Sequence, residues 1–143
     1  MGKIAKGLLA GAAGTAAMTL SSTLEQKLRG REGSTAPADA AATVLGIDHF
    51  PSEEAKNRFS EAVHWVYGTS WGAVRALLGA FLPPAAASAT HLAMLWGSEQ
   101  LMLPALDVSP PLTEWGAVEV AIDAGHHVVY AAATGATYEL LNS

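Results

Sequence analysis

The chain of 143 residues has no cysteine, few charged residues and no long basic run. Without cysteine it cannot form a disulfide, a thiol nucleophile or a Cys-based zinc site. Charged residues make up 15% of the chain, against about 25% in an ordinary soluble domain, and the formal net charge is -5. Binding to a phosphate backbone needs a basic surface, so we expect no nucleic-acid partner.

Common nucleotide-binding motifs are also missing. The sequence contains no phosphate-binding GxxxxGK[ST] loop and no GxGxxG. No nucleophile stands beside a base, so the sequence predicts a protein that is not an enzyme. Hydrophobic residues reach 50% of the chain, and many of them are alanine, which together with glycine lets helices pack closely in a bilayer. The low charge therefore favours a membrane-embedded helical protein.

Helical segments account for most of the chain. Gly7–Leu24 carries no charged residue and approaches the length that spans a bilayer core. Lys3 and Lys6 ahead of this apolar stretch also resemble a secretory signal, but the helical pattern runs on through Leu28, which favours a span. No segment alternates with period two for long, so we expect no sheet. The predicted long helices are Ile4–Leu28, Ser52–Leu82, Pro84–Leu103 and Leu112–Leu141, with a short helix at Ala38–Leu45 in the first loop.

Local signals set the predicted helix ends. Ser52 followed by two glutamates is a typical N-cap, and Thr113 is a candidate N-cap for the last helix. Pro83 ends the second long helix, and Pro84 suits the first position of the third. This short connection predicts antiparallel neighbours, and an even number of spans places both termini on the same side.

A repeated motif relates the second and last long helices. HWVYGTSWGAVRALL, from His64, and HVVYAAATGATYELL, from His127, share the pattern H-x-x-Y-x-x-x-x-G-A-x-x-x-L-L. The pair Glu25-Gln26 recurs as Glu99-Gln100 at the ends of the other two helices. The sequence therefore predicts two tandem helical hairpins, repeat 1 at about 4–82 and repeat 2 at about 84–142, related by an axis along the membrane normal.

Small residues at regular spacing are expected where helices touch. Glycines three or four residues apart allow two backbones to approach closely. The candidate packing positions are Gly7, Gly11, Gly14, Gly68, Gly72 and Gly135.

Ionisable and hydrogen-bonding residues fall on two matched helical stripes. A charge in a bilayer core costs several kcal/mol unless it is paired, so these residues are expected to face the bundle interior. Lys56 and Arg75 on one stripe are predicted to meet carboxylates or phenols of the other. The candidate polar interior or ligand-site residues are His64, Tyr67, Arg75, Glu119, Asp123, His127 and Tyr130 on these stripes, together with His91 and Glu99 of the third long helix.

Three interpretations of these residues are open. The favoured one is structural, with hydrogen bonds between helices fixing their register and no cofactor bound. A second is a haem b or divalent-metal site, in which His64 and His127 ligate haem iron, or Glu119, Asp123 and His127 form a metal face that His91 or Glu99 completes. The third is passage of protons or ions through the interior, because histidine and carboxylate chains relay protons.

Four segments together resemble the YagU-like bacterial inner-membrane proteins. They are GLLAGAAGTAAM in the first helix, HWVYGTSWGA, LPALDVSPP and the closing H-x-x-Y. The resemblance covers nearly the whole chain. It implies a multi-pass protein of the bacterial inner membrane without an established activity, with a link to acid or envelope stress, and it brings no catalytic residues.

The combined prediction is an all-α four-helix transmembrane bundle, a single integral-membrane domain of residues 1–143. We expect a non-enzymatic structural or interaction component whose main partner is the lipid bilayer. A homo-oligomer or another membrane-complex partner is left open.

Overall fold

A computed structural model describes all residues 1–143 and consists of helices without strands. This confirms the predicted all-α fold. Four helices are long, and the short one lies in the first loop where a short helix was expected. The helices are α1 (Lys3–Arg29), α2 (Ala36–Leu45), α3 (Glu53–Leu78), α4 (Pro84–Ala105) and α5 (Ala117–Asn142), with a 3-10 turn at Leu112–Glu114.

Three predicted helix ends are wrong. The second long helix stops at Leu78 and not Leu82, because residues 79–82 form a turn that leads into the prolines. The third helix runs through Pro104, since a proline in the last turn removes only one backbone bond. The last helix begins at Ala117 after Gly116, so Thr113 lies in the 3-10 turn and is not its N-cap.

Other local signals are confirmed. The Ser52 hydroxyl accepts a hydrogen bond from the Ala55 backbone N–H at 3.1 Å, as an N-cap does. Gly30, with φ of 62°, closes α1 in the left-handed conformation that glycine adopts without strain.

Helix α1 is the central element of the bundle. It packs along both α3 and α5, whereas α4 lies at the periphery against α5 and α3. Lys6 Nζ donates a hydrogen bond to Asn142 Oδ1 at 3.1 Å, so the start of the first helix and the end of the last lie together. The α3–α4 turn belongs to this end of the bundle, and α2 belongs to the other.

Glycine brings the backbones of α1 and α3 into contact. A Cβ added to Gly7 would lie 2.5 Å from the Gly72 carbonyl oxygen, and one added to Gly11 would lie 2.6 Å from that of Thr69. No real Cβ occupies such positions, so only glycine permits this approach. We call Gly7, Gly11, Gly68 and Gly72 the glycine seam.

Polar groups and alanines fill the interior, and large apolar side chains cover the outside. Arg75 and His91 are completely buried, and Leu95 is the one large aliphatic residue among the buried positions. Leu28, Phe81 and Leu101 are 78%, 85% and 77% exposed. This distribution is the reverse of that in a typical soluble domain, where large aliphatic residues form the core.

None of the helices combines the length and the apolar content that a bilayer span requires. The helical bundle is confirmed by the five helices, whereas its transmembrane character stays a prediction.

Candidate functional site

A cavity of about 650 Å³ lies between the helices at the α2 end of the bundle. All five helices contribute to its lining, and its size is within the range of small-molecule sites. Most of its surface is apolar. The apolar lining includes Met18, Val44, Val63, Leu95, Leu103 and Trp115, and the polar wall, as we name it, consists of His64, Tyr67, Glu99, Asp123, His127 and Tyr130.

His127 and Glu99 form a proton-sharing pair on the polar wall. His127 Nδ1 lies 2.7 Å from the Asp123 carbonyl oxygen, which only accepts, so Nδ1 carries a hydrogen. His127 Nε2 lies 2.7 Å from Glu99 Oε2, and this short contact requires one proton on either atom. With that proton the pair as a whole is neutral.

Asp123 adds a charge that this pair does not balance. Its Oδ2 accepts a hydrogen bond from the Trp96 indole N–H at 2.7 Å and lies 3.8 Å from His127 Nδ1. The Trp96 indole carries no charge, and the positive charge of the proton shared by His127 and Glu99 is already balanced by the Glu99 carboxylate. When Asp123 is ionised, the polar wall therefore carries one net negative charge.

His64 is held by the hydroxyl group of Thr19 on α1. The Thr19 hydroxyl donates to the Thr15 carbonyl at 2.7 Å, so it can only accept from His64 Nε2, which lies 2.9 Å away. The Thr15 hydroxyl in turn donates to the Gly11 carbonyl at 2.8 Å. His64 Nδ1 is consequently the acceptor nitrogen of this ring.

Tyr67 and Tyr130, at equivalent positions of the repeat, make different contacts. The Tyr130 hydroxyl donates to the Gly68 carbonyl at 2.5 Å and ties α5 to α3. The Tyr67 ring packs edge-on against Trp71 of its own helix, with ring centres 6.2 Å apart. Both tyrosines line the cavity, but of the two only Tyr130 donates a hydrogen bond to the backbone of another helix.

Arg75 lies outside the cavity, at the end of the bundle where the termini meet. Its Nη2 donates to Glu139 Oε1 at 2.7 Å, and its guanidinium carbon lies 5.1 Å from the centre of the Tyr138 ring. The prediction that Arg75 meets a carboxylate or a phenol is thus confirmed. Lys56 instead lies 3.6 Å from Asp39 of α2, so it does not reach α5.

His91 is also outside the cavity. Its Nε2 donates to the Trp71 carbonyl at 2.9 Å, and its ring packs against Trp71 and Tyr130. These contacts make it a packing residue between α4, α3 and α5.

Glu119 belongs to a surface ion cluster beside the cavity. Arg29 pairs with Glu119 at 2.8 Å and with Glu25 at 3.1 Å, and Arg31 pairs with Glu25 as well. The hydrogen bonds from Arg31 and Arg29 lower the pKa of Glu25 to about 2 despite partial desolvation. The hydrogen bond from Arg29 likewise lowers the pKa of Glu119. The two arginines and two glutamates balance one another.

Six of the nine predicted residues are therefore brought together on the polar wall, and Arg75, His91 and Glu119 are not. His126 lines the cavity too, although the helical stripe did not include it. Its Nδ1 lies 2.7 Å from the Ser21 hydroxyl and its Nε2 3.6 Å from Glu25 Oε2. The repeated Glu-Gln pair is the sequence feature that could have indicated His126. Glu25 lies beside His126 in the same way that Glu99 lies beside His127.

The histidine contacts bear on the haem and metal interpretation. Both ring nitrogens of His127 are engaged, and so is Nε2 of His64, so iron ligation would displace at least one of these contacts. No group of three or more His, Asp or Glu side chains is arranged to hold a metal ion.

Equivalent positions of the two repeats meet in one place. Arg75 and Tyr138 occupy the same position of the repeated motif and stack on each other. Gly72 faces α1 and Gly135 faces Ser88 of α4, so each contacts the first helix of its own hairpin. Elsewhere the halves differ, because α1 is central and α4 is peripheral. The duplication stays a prediction.

The fold and cavity define an all-α bundle with a polar interior and an apolar exterior. Comparisons with protein-family models, curated proteins and solved structures find no match to this chain. The YagU-like resemblance therefore rests on the sequence segments alone.

Proposed function

We propose that this chain is a small multi-pass integral membrane protein of the bacterial inner membrane that acts as a non-enzymatic structural or interaction component. The observation that carries the proposal is the exterior of the bundle. Every long helix presents large apolar side chains outward, among them Leu20, Val66, Leu101 and Val128. Large apolar side chains are exposed on all four long helices, and exposed apolar surface of this kind marks a lipid or protein interface when it is contiguous.

The placement of charges supports the same proposal. Within the proposed spans Arg75 is fully buried, and the side chains of Glu99 and Asp123 are 16% and 32% exposed. A charged residue at the centre of a bilayer costs about 2.5 to 3.5 kcal/mol on insertion scales, and pairing inside the bundle reduces this cost. The exposed lysines and arginines lie near the helix ends.

Hydrogen bonds within the interior would then serve to fix helix register. Contacts such as Tyr130 to Gly68 and Thr19 to His64 join neighbouring helices. In bilayers each such bond contributes on average about 0.6 kcal/mol. Together they favour one arrangement of helices whose other contacts are made by small residues.

The YagU-like resemblance is part of this proposal, including a role in acid or envelope stress. The lipid bilayer is the proposed main partner, and no nucleic-acid partner is proposed.

Cell fractionation tests membrane residence. After expression in bacteria, we expect the protein in the membrane pellet, resistant to alkaline carbonate and to urea, and released by detergent. Recovery in the supernatant without detergent would overturn the proposal and leave a soluble bundle with an unusual exterior.

Single cysteines give a sharper test because the chain has none of its own. Leu20→Cys and Val66→Cys lie on the apolar exterior, while Ser34→Cys and Ser143→Cys lie outside the long helices. In sealed vesicles we expect a water-soluble maleimide to label Ser34→Cys and Ser143→Cys from opposite sides. The two exterior cysteines should react only after the membrane is dissolved. Equal reactivity of Leu20→Cys and Ser34→Cys in intact vesicles would count against a bilayer around α1.

One observation favours proton passage as a second candidate function. The His127–Glu99 pair shares a single proton beside the cavity, which is the arrangement a relay uses. In liposomes with an imposed pH gradient, wild type should then dissipate the gradient faster than His127→Ala, with Glu54→Gln as a surface control. A wild-type rate equal to that of empty liposomes would exclude this function.

A further inference from the structure

The cavity has the charge and lining of a site for a bulky lipophilic monocation, and we propose that it binds such a ligand. The proposal deepens the proposed function, because it assigns a ligand class to the interior of the membrane bundle. It rests on the cavity volume, the charge of the polar wall and the aromatic lining.

Size and lining exclude a bare inorganic ion as the best fit. A volume of about 650 Å³ accommodates an organic molecule with several rings, and most of the wall is apolar. Val44 of α2, Leu95 and Leu103 of α4 and Trp115 provide this surface. Burial of the apolar part of a ligand would supply most of the binding energy.

The charge of the polar wall favours a positively charged ligand. The His127–Glu99 pair is neutral as a unit, and Asp123 leaves one negative charge on the polar wall. Arg31 is the one arginine that lines the cavity, and its charge is matched by Glu25. An anionic ligand would meet Asp123 without a free cation to offset it, whereas a monocation would neutralise the wall.

Aromatic rings add to this preference. Tyr67, Tyr130 and Trp115 line the same cavity. The face of an aromatic ring attracts a cation, and the attraction is stronger where water is excluded. The lining therefore suits a cation whose charge is spread over an apolar body.

Two probes of matched shape and opposite charge test the proposal directly. Tetraphenylphosphonium and tetraphenylborate have the same four-ring form, so their difference reports charge. With the full chain in nanodiscs, and with empty nanodiscs subtracted, we expect saturable binding of about one phosphonium per protein by equilibrium dialysis. We expect no saturable binding of the borate.

Variants locate the site. Asp123→Asn keeps a hydrogen-bond acceptor for Trp96 and removes the charge, so phosphonium affinity should fall at least about tenfold. Ala41→Trp fills the cavity from α2 and should abolish binding while helical circular dichroism is kept. Glu114→Gln, which removes an exposed charge outside the cavity, serves as the matched control and should bind like wild type.

The opposite results are equally definite. Absence of phosphonium binding, equal or tighter binding of the borate, or unchanged affinity in Asp123→Asn would overturn the ligand class. If the protein fractionates as soluble, the same dialysis is run in buffer, and binding there would keep the site while the membrane proposal fails. A membrane protein that binds neither probe would retain the proposed function and lose this inference.

Discussion

The two ends of the bundle use the same helices in opposite ways. Near the termini, α1 and α3 meet through the glycine seam, and Gly7 and Gly72 bring their backbones into contact. Near α2, the same helices carry Met18, Tyr67 and other large side chains and enclose a cavity with α4 and α5. One end is closed by backbone contact and the other is held open by side chains.

The comparison shows what residue size does in a bundle that has almost no large aliphatic core. Where two glycines face each other, no space is left between the helices. The interface then depends on dispersion contacts between the two backbones, and any added side chain would push the backbones apart. Where the facing residues are larger and polar, they hold the helices apart and need partners. The cavity and the polar wall are therefore two consequences of the same local change in composition.

The largest predicted effect concerns the closed end. Gly72→Ala places a Cβ against the backbone of Gly7 and Gly11. We therefore expect overpacking to lower the free energy of unfolding by about 1 to 3 kcal/mol. At Gly97 of α4 a Cβ meets no atom within 4 Å. Gly97→Ala should therefore raise the free energy of unfolding by about 0.5 to 1 kcal/mol. Thermal unfolding of both variants in detergent measures the difference. If both variants shift the midpoint temperature in the same direction, the glycine seam is not a close backbone contact.

A smaller loss is expected at the ion pair of the same end. Glu139→Gln leaves the buried Arg75 without its carboxylate partner. We expect the free energy of unfolding to fall by about 1 to 2 kcal/mol, and the loss is no larger because Glu139 is partly exposed. The surface variant Glu54→Gln is the control and should change the unfolding free energy by less than about 0.5 kcal/mol. Equal effects would show that the Arg75 pair behaves like an ordinary surface pair.

The tyrosines test whether the two repeats contribute equally at the open end. Tyr130→Phe removes the hydrogen bond to the Gly68 carbonyl and should cost about 1 kcal/mol. Tyr67→Phe, at the equivalent position, removes no bond between α3 and α5 and should cost less than half as much. Equal losses measured by thermal unfolding would mean that both halves depend on their tyrosine to the same extent.

The weakest predicted effect is a pH dependence at the ion cluster beside the cavity. The pKa of Glu25 is lowered from 4.5 to about 2 in the folded state, chiefly by its hydrogen bond from Arg31. A lowered carboxyl pKa stabilises the fold fully above pH 4.5, and this contribution is lost as the pH falls toward 2. The midpoint temperature of wild type should therefore fall more between pH 4.5 and pH 2 than that of Glu25→Gln. Parallel curves for the two proteins would show that the cluster is not coupled to folding.

Local sequence determined the helices and their small-residue faces. The spacing of Gly7, Gly11 and Gly14 predicted close helix contact, and the Ser52 cap and Pro83 predicted breaks in the chain. The helix ends at Leu78 and Ala117 were missed because turn and 3-10 geometry depends on neighbouring backbone contacts. Of the candidate residues, the two helical stripes identified His64 and His127 from their spacing alone, but they also included Glu119, which pairs with Arg29 instead.

Only the tertiary structure decided which helix is central and where the cavity lies. The sequence pattern treats α1 and α4 as equivalent members of two hairpins, yet α1 packs between α3 and α5 and α4 stays peripheral. Helical periodicity states which residues share a face and not which neighbour that face meets. The partners of His126, Arg75 and Asp123 depend on such long-range contacts, and so does the cavity, because it is a space that no single helix encodes.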